Sequence, residues 1–384
     1  MIFSAPLGPG HVARQQLCRA GESLVWATYR QTFHYAVDGL DQLGAPGRSL
    51  FGRGLSAVGR GAGDLALTVL GGGGDTADDN APAADHLVFG RSSGSLAPSA
   101  MSRFSPGTRV DRLWALTSDR LVVAERAAAP VEEPAKSFLG KAIGFGREVG
   151  KILSDNRRKY GDHVEGEPVT APAYEVVHEF PRAQIAHAEP GRVTFTDGSG
   201  VEFLLDSPTP VADEVVVREL TRFWLRPGEH LVLGLPPIVA HVGGVVGGAL
   251  HVPWTASGPM PSLDLDKPRW PLPAPPSPPD WIDDPTLGYW LEAPSVSSAA
   301  VSLADHFAFS LGNARLAVSD QRVAVVYPTH LFEAKPSSVF TTFAEIPRGA
   351  VRSVENTYAG CSLPARPVVR LTFADGSALT LRRP

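Results

Sequence analysis

Residues 370–383 read "RLTFADGSALTLRR", two short alternating strands around an Asp-Gly turn. Residues 192–205, "RVTFTDGSGVEFLL", have the same form. Val193 and Phe195 alternate with Thr194 and Thr196, and Val201, Phe203 and Leu205 follow on the return strand. Val369, Leu371 and Phe373 face Leu379 and Leu381 in the later hairpin. Such period-two alternation buries one face of a strand and wets the other. Asp-Gly supplies the backbone freedom of a tight hairpin turn.

Three further blocks recur in the same order upstream of the two hairpins. "LCRAGESLVWATY" (17–29) matches "WLRPGEHLVLGL" (224–235), and "RLWALTSDRLVVAE" (112–125) matches "ARLAVSDQRVAVVY" (314–327). "EFPRAQIAHAE" (179–189) matches "EIPRGAVRSVE" (345–355). Four blocks in one order indicate a duplicated unit. The copies differ in spacing: 62 residues separate Asp119 from Pro181, but 27 separate Asp320 from Pro347. The second copy carries its own extra residues around "NTYAGCSLPARP". After the first hairpin, Val211, Val215, Leu220 and Trp224 recur at roughly helical spacing, acids first and Arg later, which predicts an amphipathic helix closing the first unit. The second unit has no such helix after its last strand.

The chain has 384 residues, enough for two or three domains, and is 43% hydrophobic. A net charge of -5 argues against nucleic acid as a partner. Two cysteines, Cys18 and Cys361, imply neither a disulfide framework nor a metal knuckle and fit a reducing cytoplasm. The start lacks a secretory signal pattern, and no apolar run reaches eighteen residues. The longest candidate, residues 238–252, is Gly-rich and broken by His241 and His251, and its small residues suit close helix packing.

These meander strands, Asp-Gly hairpins, the "LRPGE" entry and a closing helix resemble the pleckstrin-homology-like superfamily, most of all its bacterial PH and GRAM-like branches. The resemblance implies a mainly β fold with some α. It implies two small antiparallel barrels, the first with a closing helix, interrupted by helical and disordered insertions. The expected organisation is a tail (1–16), a first unit (17–222) with insertions at about 30–110 and 126–172, and a second unit (223–384) with a Pro-rich insertion at about 237–303. It also implies a non-catalytic role in binding lipid headgroups, peptides or partner proteins. The basic residues of an inositol-phosphate pocket are missing, since only Arg30 lies near the first strand turn.

The insertions are where function is expected. In residues 136–162, Phe138, Ala142, Phe145, Val149 and Ile152 form a stripe, flanked by Leu139, Ile143 and Leu153. Lys141, Arg147, Lys151, Arg157, Arg158 and Lys159 give residues 136–159 a local excess of basic charge. One reading is an interfacial helix on anionic lipid or a protein surface. The other is a helix packed on its own domain. A second stripe, Phe51, Leu55 and Val58 with Arg53 and Arg60 beside it, offers a secondary contact. The Pro-rich run 268–279 reads as a polyproline spacer or as a ligand for an aromatic groove.

No GxSxG, Walker or HExxH motif is present, and the eleven histidines show no metal-ligand spacing. The matched aspartates Asp119, Asp197, Asp320 and Asp375 sit at turn tips, where a structural role suffices. No catalytic residue, cofactor or metal is therefore assigned. The expectation is a cytoplasmic docking or adaptor protein, peripheral on the inner membrane face, or a protein–protein scaffold without lipid binding.

Overall fold

In the computed structural model, both Asp-Gly-Ser hairpins form as their alternation requires. The structure describes residues 2–47, 82–128, 157–205, 213–262, 269–333 and 336–383. Val193, Phe195, Val201 and Phe203 are buried in one core, and Val369, Leu371, Phe373, Leu379 and Leu381 in another. Gly198 and Gly376 take positive φ at the two turns.

The first unit opens with helix α1 (Pro9–Gln16), then strands β1 (Leu24–Arg30), β2 (Phe33–Val37) and β3 (His86–Gly90). Helix α2 (Leu96–Met101) precedes β4 (Arg112–Thr117) and β5 (Arg120–Arg126). A small ladder, β6 (Lys159–Tyr160) with β7 (His163–Val164), leads to β8 (Tyr174–Pro181), β9 (Ile185–Glu189), β10 (Arg192–Phe195) and β11 (Gly200–Phe203). One sheet has the order β1-β4-β5-β8 and the other β2-β3-β11-β10-β9.

The second unit repeats this plan. Helix α3 (Glu214–Phe223) precedes β12 (Leu231–Leu235), β13 (His241–Val246), β14 (Ala249–His251) and β15 (Leu287–Ala293). Helix α4 (Ala299–Ser310) precedes β16 (Arg315–Ser319), β17 (Arg322–Pro328), β18 (Phe340–Pro347), β19 (Val351–Ala359), β20 (Arg366–Phe373) and β21 (Ala378–Arg382). Its sheets run β12-β16-β17-β18 and β14-β13-β15-β21-β20-β19. Even the parallel pairing recurs, as β2 with β3 and β13 with β15.

The fold is mainly β with some α, and its sheets are open, so they do not form the two small closed barrels expected from the sequence. In each unit the two sheets share one core, which α2 or α4 enters from the side: Ala97 and Met101 in the first unit, Val301 and Phe307 in the second. Each unit also has a third layer. Trp114 and Leu116 face the main core, while Leu113 and Ala115 pack beneath α1. Leu316 and Val318 face their core, while Ala317 lies beneath α3. Burial on both faces explains why "RLWALT" and "RLVVAE" read as near-continuous apolar runs. Small residues beneath each helix allow close approach. A Cβ on Gly234 would come within 2.7 Å of the Leu220 side chain.

Several expectations are corrected here. The amphipathic helix after the first hairpin does not close the first unit. It is α3, whose Val216, Leu220 and Trp224 pack on Ala317, Ala324, Val326 and Phe340 of the second. Its counterpart α1 lies inside the expected tail, so each unit begins with a helix. The regions taken as insertions at 30–110 and 237–303 contain core elements, namely β2, β3 and α2, and β13, β14, β15 and α4. Residues 238–252 form strands rather than a helix. The Ser-Asp match is off by one, because Thr117 and Ser319 hold equivalent places. Each hydroxyl accepts the N–H three residues on, from Arg120 or Arg322.

Two devices account for the matched blocks. The first is a helix cap supplied from a distant hairpin. Asp197 Oδ2 accepts from Leu96 N, and Ser199 Oγ accepts from Ala97 N, at the start of α2. Asp375 and Ser377 do the same for Ala299 and Ala300 at α4. These contacts satisfy N–H groups that a helix start leaves open. The second device is a buried arginine. Arg120 reaches Glu22 at 2.7 Å, the Leu17 carbonyl at 2.8 Å and Glu179. Arg322 reaches Glu229 at 2.9 Å, Glu345 at 2.8 Å and the Trp224 carbonyl at 3.2 Å.

Removing one partner of such a buried cluster leaves an uncompensated charge. Arg322→Ala is expected to cost about 3–5 kcal/mol in chemical denaturation, because Glu229 loses its counter-ion. A loss below about 1 kcal/mol, the value of an exposed pair, would contradict this account.

Candidate docking groove

The two units treat equivalent sheet edges differently. In the first unit the outer edge of β1 is covered by residues 361–363 of the second unit, from the loop between β19 and β20. Ala27 N donates to the Cys361 carbonyl and Leu363 N donates to the Ala27 carbonyl, both at 2.8 Å. Thr28 Oγ1 donates to the Leu363 carbonyl. The added segment runs parallel to β1.

Helix α1 grips the same segment. Gly10 N donates to Ser362 Oγ at 2.9 Å, and His11 N donates to Asp283 Oδ2 at 3.0 Å. Ser362 Oγ donates to Asp283 Oδ1, and Arg14 pairs with Asp280 at 2.5 Å. The close fit needs glycine, since a Cβ on Gly10 would lie 2.6 Å from Asp283 Oδ2. The Pro-rich run belongs to this junction as well and is not a free spacer. Leu272 exchanges backbone hydrogen bonds with Glu167 and Val169, and Trp270 packs on Phe3 and Tyr160.

The buried acids here are held by donors. Asp284 accepts from Ala274 N, Thr286 N and Thr286 Oγ1. Burial pushes the Asp283 carboxyl up to about 6 and lowers the His11 pKa. Burial also raises both thiols, Cys361 to about 11, which holds them as protonated, weak nucleophiles. Among the described residues no His, Cys, Asp and Glu group is arranged to hold a metal. The junction joins the units.

Among the described residues the second unit lacks this cover. The helix ends align because Leu17 and Trp224 hold the same place beneath Arg120 and Arg322. Gly10, Arg14 and Cys18 therefore correspond to Val217, Thr221 and Leu225. In the first unit this helical stripe meets Ser362, Asp280 and Cys361. In the second, Val217, Thr221 and Leu225 line an open groove of about 400 Å³ beside β12, with Leu233, Gly234 and Pro236 opposite. Asp213 caps α3 by accepting from Val215 N and Val216 N, which fixes the helix at the groove's end. Val217 is 36% exposed and Val215 52%. Among the described residues, no segment hydrogen-bonds to the outer edge of β12.

The sequence-based site falls elsewhere. Phe138, Leu139, Lys141, Ile143, Phe145, Arg147 and Lys151 lie outside the described residues, as do Phe51, Arg53, Leu55, Val58 and Arg60. Of the basic end, Arg157 pairs with Glu167 at 2.6 Å, and the Arg158 guanidinium lies 5.4 Å from the Tyr160 ring centroid. Lys159 is exposed on β6. The groove has a trace in the sequence, since aligning "LCRAGE" with "WLRPGE" sets Cys18 against Leu225. No helix among the described residues is long and apolar enough to cross a membrane. The chain matches no family model, no curated protein and no solved structure.

The raised Asp283 pKa gives a pH signature. Between its ordinary 3.8 and about 6 the folded state holds a proton that the unfolded state has released. Its contribution to stability is thus fully present at low pH and declines as pH rises through that window. His11 has the opposite slope, so the comparison is best made between variants. Relative to wild type, Asp283→Asn should gain on the order of 1–3 kcal/mol from pH 4 to pH 7 in urea denaturation. A difference that stays flat over that range would contradict the assignment.

Proposed function

We propose that this chain is a non-catalytic docking protein whose second unit presents the groove between α3 and β12 to a protein partner. One observation carries the reading: the same edge in the first unit is filled by an extended segment, while in the second, among the described residues, it is open, with Val217, Leu225 and Leu233 along the groove and Asp213, Glu229, His230 and Arg383 at its rim. An exposed edge next to an apolar helix face is a binding surface, because its backbone groups and side chains both lack partners. The pleckstrin-homology-like reading of the two units fits this role. Its support is the recurrence in each unit of antiparallel hairpins with a helix set into the core, while the open sheets and the parallel β2–β3 and β13–β15 pairs depart from a closed barrel. Contact with a membrane surface through residues 136–159 rests on their stripe and charge alone. At the described end of that segment Arg157 pairs with Glu167 and Lys159 is exposed.

The test uses the tagged full chain in its own cells. Val217→Lys should retain the wild-type fold by circular dichroism and lose at least tenfold in recovery of its retained partner. Leu250→Lys, an exposed change on β14, should leave recovery unchanged. Equal recovery with all three proteins, or no protein retained by wild type, would count against the groove.

A further inference from the structure

We propose that the groove is completed by parallel strand addition, in which an extended segment of a partner protein with an aliphatic residue at its centre pairs with Gly234. This rests on the docking reading above and specifies its mode and the chemistry of the occupant.

The ladder geometry fixes the pairing atoms. Across an antiparallel pair, residues alternate between bonding each other and pointing outward. Ala27 lies opposite Ala115 and Gly234 opposite Ala317. The two-residue turns after Thr117 and Ser319 set the same alternation in both units. Ala27 directs its N–H and C=O away from β4, to Cys361 and Leu363. Gly234 therefore directs its own N–H and C=O away from β16, into the groove. A residue equivalent to Cys361 would accept from Gly234 N. One equivalent to Leu363 would donate to the Gly234 carbonyl.

The helix stripe determines the side chain between them. In the first unit the central residue, Ser362, meets Gly10 and the carboxylate of Asp283. In the second, Val217 stands where Gly10 stands, with Thr221 and Leu225 below it. A hydroxyl there would lie against the Val217 methyls, without the Asp283 carboxylate that receives Ser362 in the first unit. An aliphatic side chain would bury apolar area against Val217 and Leu225.

The direction of the strand excludes a symmetric self-association. Two copies related by a twofold axis present identical edges and pair antiparallel, whereas the cover seen on β1 is parallel. The loop of the first unit that corresponds to residues 360–365 cannot supply the segment. That connection, from β9 to β10, is only Pro190 and Gly191.

The probe is a labelled peptide of residues 358–366 carrying Cys361→Ser and Ser362→Val, titrated into the full chain. Fluorescence anisotropy should show saturable one-site binding, at least tenfold weaker for Val217→Lys. The parent peptide with Ser362 retained should bind more weakly than its Val counterpart. N-methylation at the position of Leu363 should abolish binding, because it removes the N–H that reaches Gly234. Hydrogen exchange should slow at residues 231–236 in the complex. Binding that tolerates N-methylation, protection located elsewhere, or no binding by the Val peptide would overturn strand addition. A dimer in sedimentation that Val217→Lys dissociates would overturn the choice of partner. If the peptide fails while Val217→Lys still abolishes partner recovery, the groove stands and the mode falls. If both fail, both fall.

Discussion

A guanidinium fixed between two carboxylates and the end of a helix sets the geometry of each unit. Arg120 draws together the turn that holds Glu22, the strand that holds Glu179 and the last carbonyls of α1. Arg322 does the same with Glu229, Glu345 and the C-terminus of α3, and its guanidinium stacks 4.2 Å from the Trp224 ring centroid. A planar guanidinium grips one carboxylate with two donors while still reaching the second carboxylate and the carbonyl, a fork that a lysine ammonium does not offer. A cation is also favoured at a helix C-terminus. The helix is thereby tied to the sheet that carries the arginine. This is why α3 belongs to the unit that follows it, although it stands directly after the last strand of the unit before.

With the scaffold fixed twice, the two copies differ in what their edges meet. The α1 stripe of Gly10, Arg14 and Cys18 is small and charged, and it accepts a close, acidic partner from the second unit. The α3 stripe of Val217, Thr221 and Leu225 is mostly apolar and faces open space. The long connection between β19 and β20 makes the difference, since it reaches across to β1 while the short one between β9 and β10 reaches nothing. A duplicated fold has used one copy's loop to close the other copy's edge. The chain becomes one two-unit body with a single edge of this type left uncovered among its described residues.

The matched acidic turns also acquire a definite role. Asp197 with Ser199, and Asp375 with Ser377, cap helices about 80 to 100 residues away in sequence. Capping in this form couples the hairpin to the helix that enters the core, so the local turn and the long-range packing form together. Conserved spacing between the two copies follows from this coupling and requires no chemistry at the turn.

The sequence by itself determined the matched blocks, their strands and the buried face of each hairpin. Alternation is a local property, and Val193, Phe195, Leu371 and Phe373 lie where it puts them. It also marked an amphipathic helix on Val211, Val215, Leu220 and Trp224; Leu220 and Trp224 are buried as expected, but Val216 takes the inner place and Val215 is exposed. The sequence could not say against what that face packs. The partner of that face is chosen by Arg322 and by the small residues beneath the helix, Gly234 and Ala317, which are distant in sequence from one another. The Pro-rich run looked like a spacer because proline disfavours helix and inner strand, yet Leu272 pairs with Glu167 and Val169 once the two units meet. Edge status was likewise invisible, since β1 and β12 have the same local pattern. Only the tertiary structure decided that one is covered and the other open, because covering an edge depends on which distant segment can reach it.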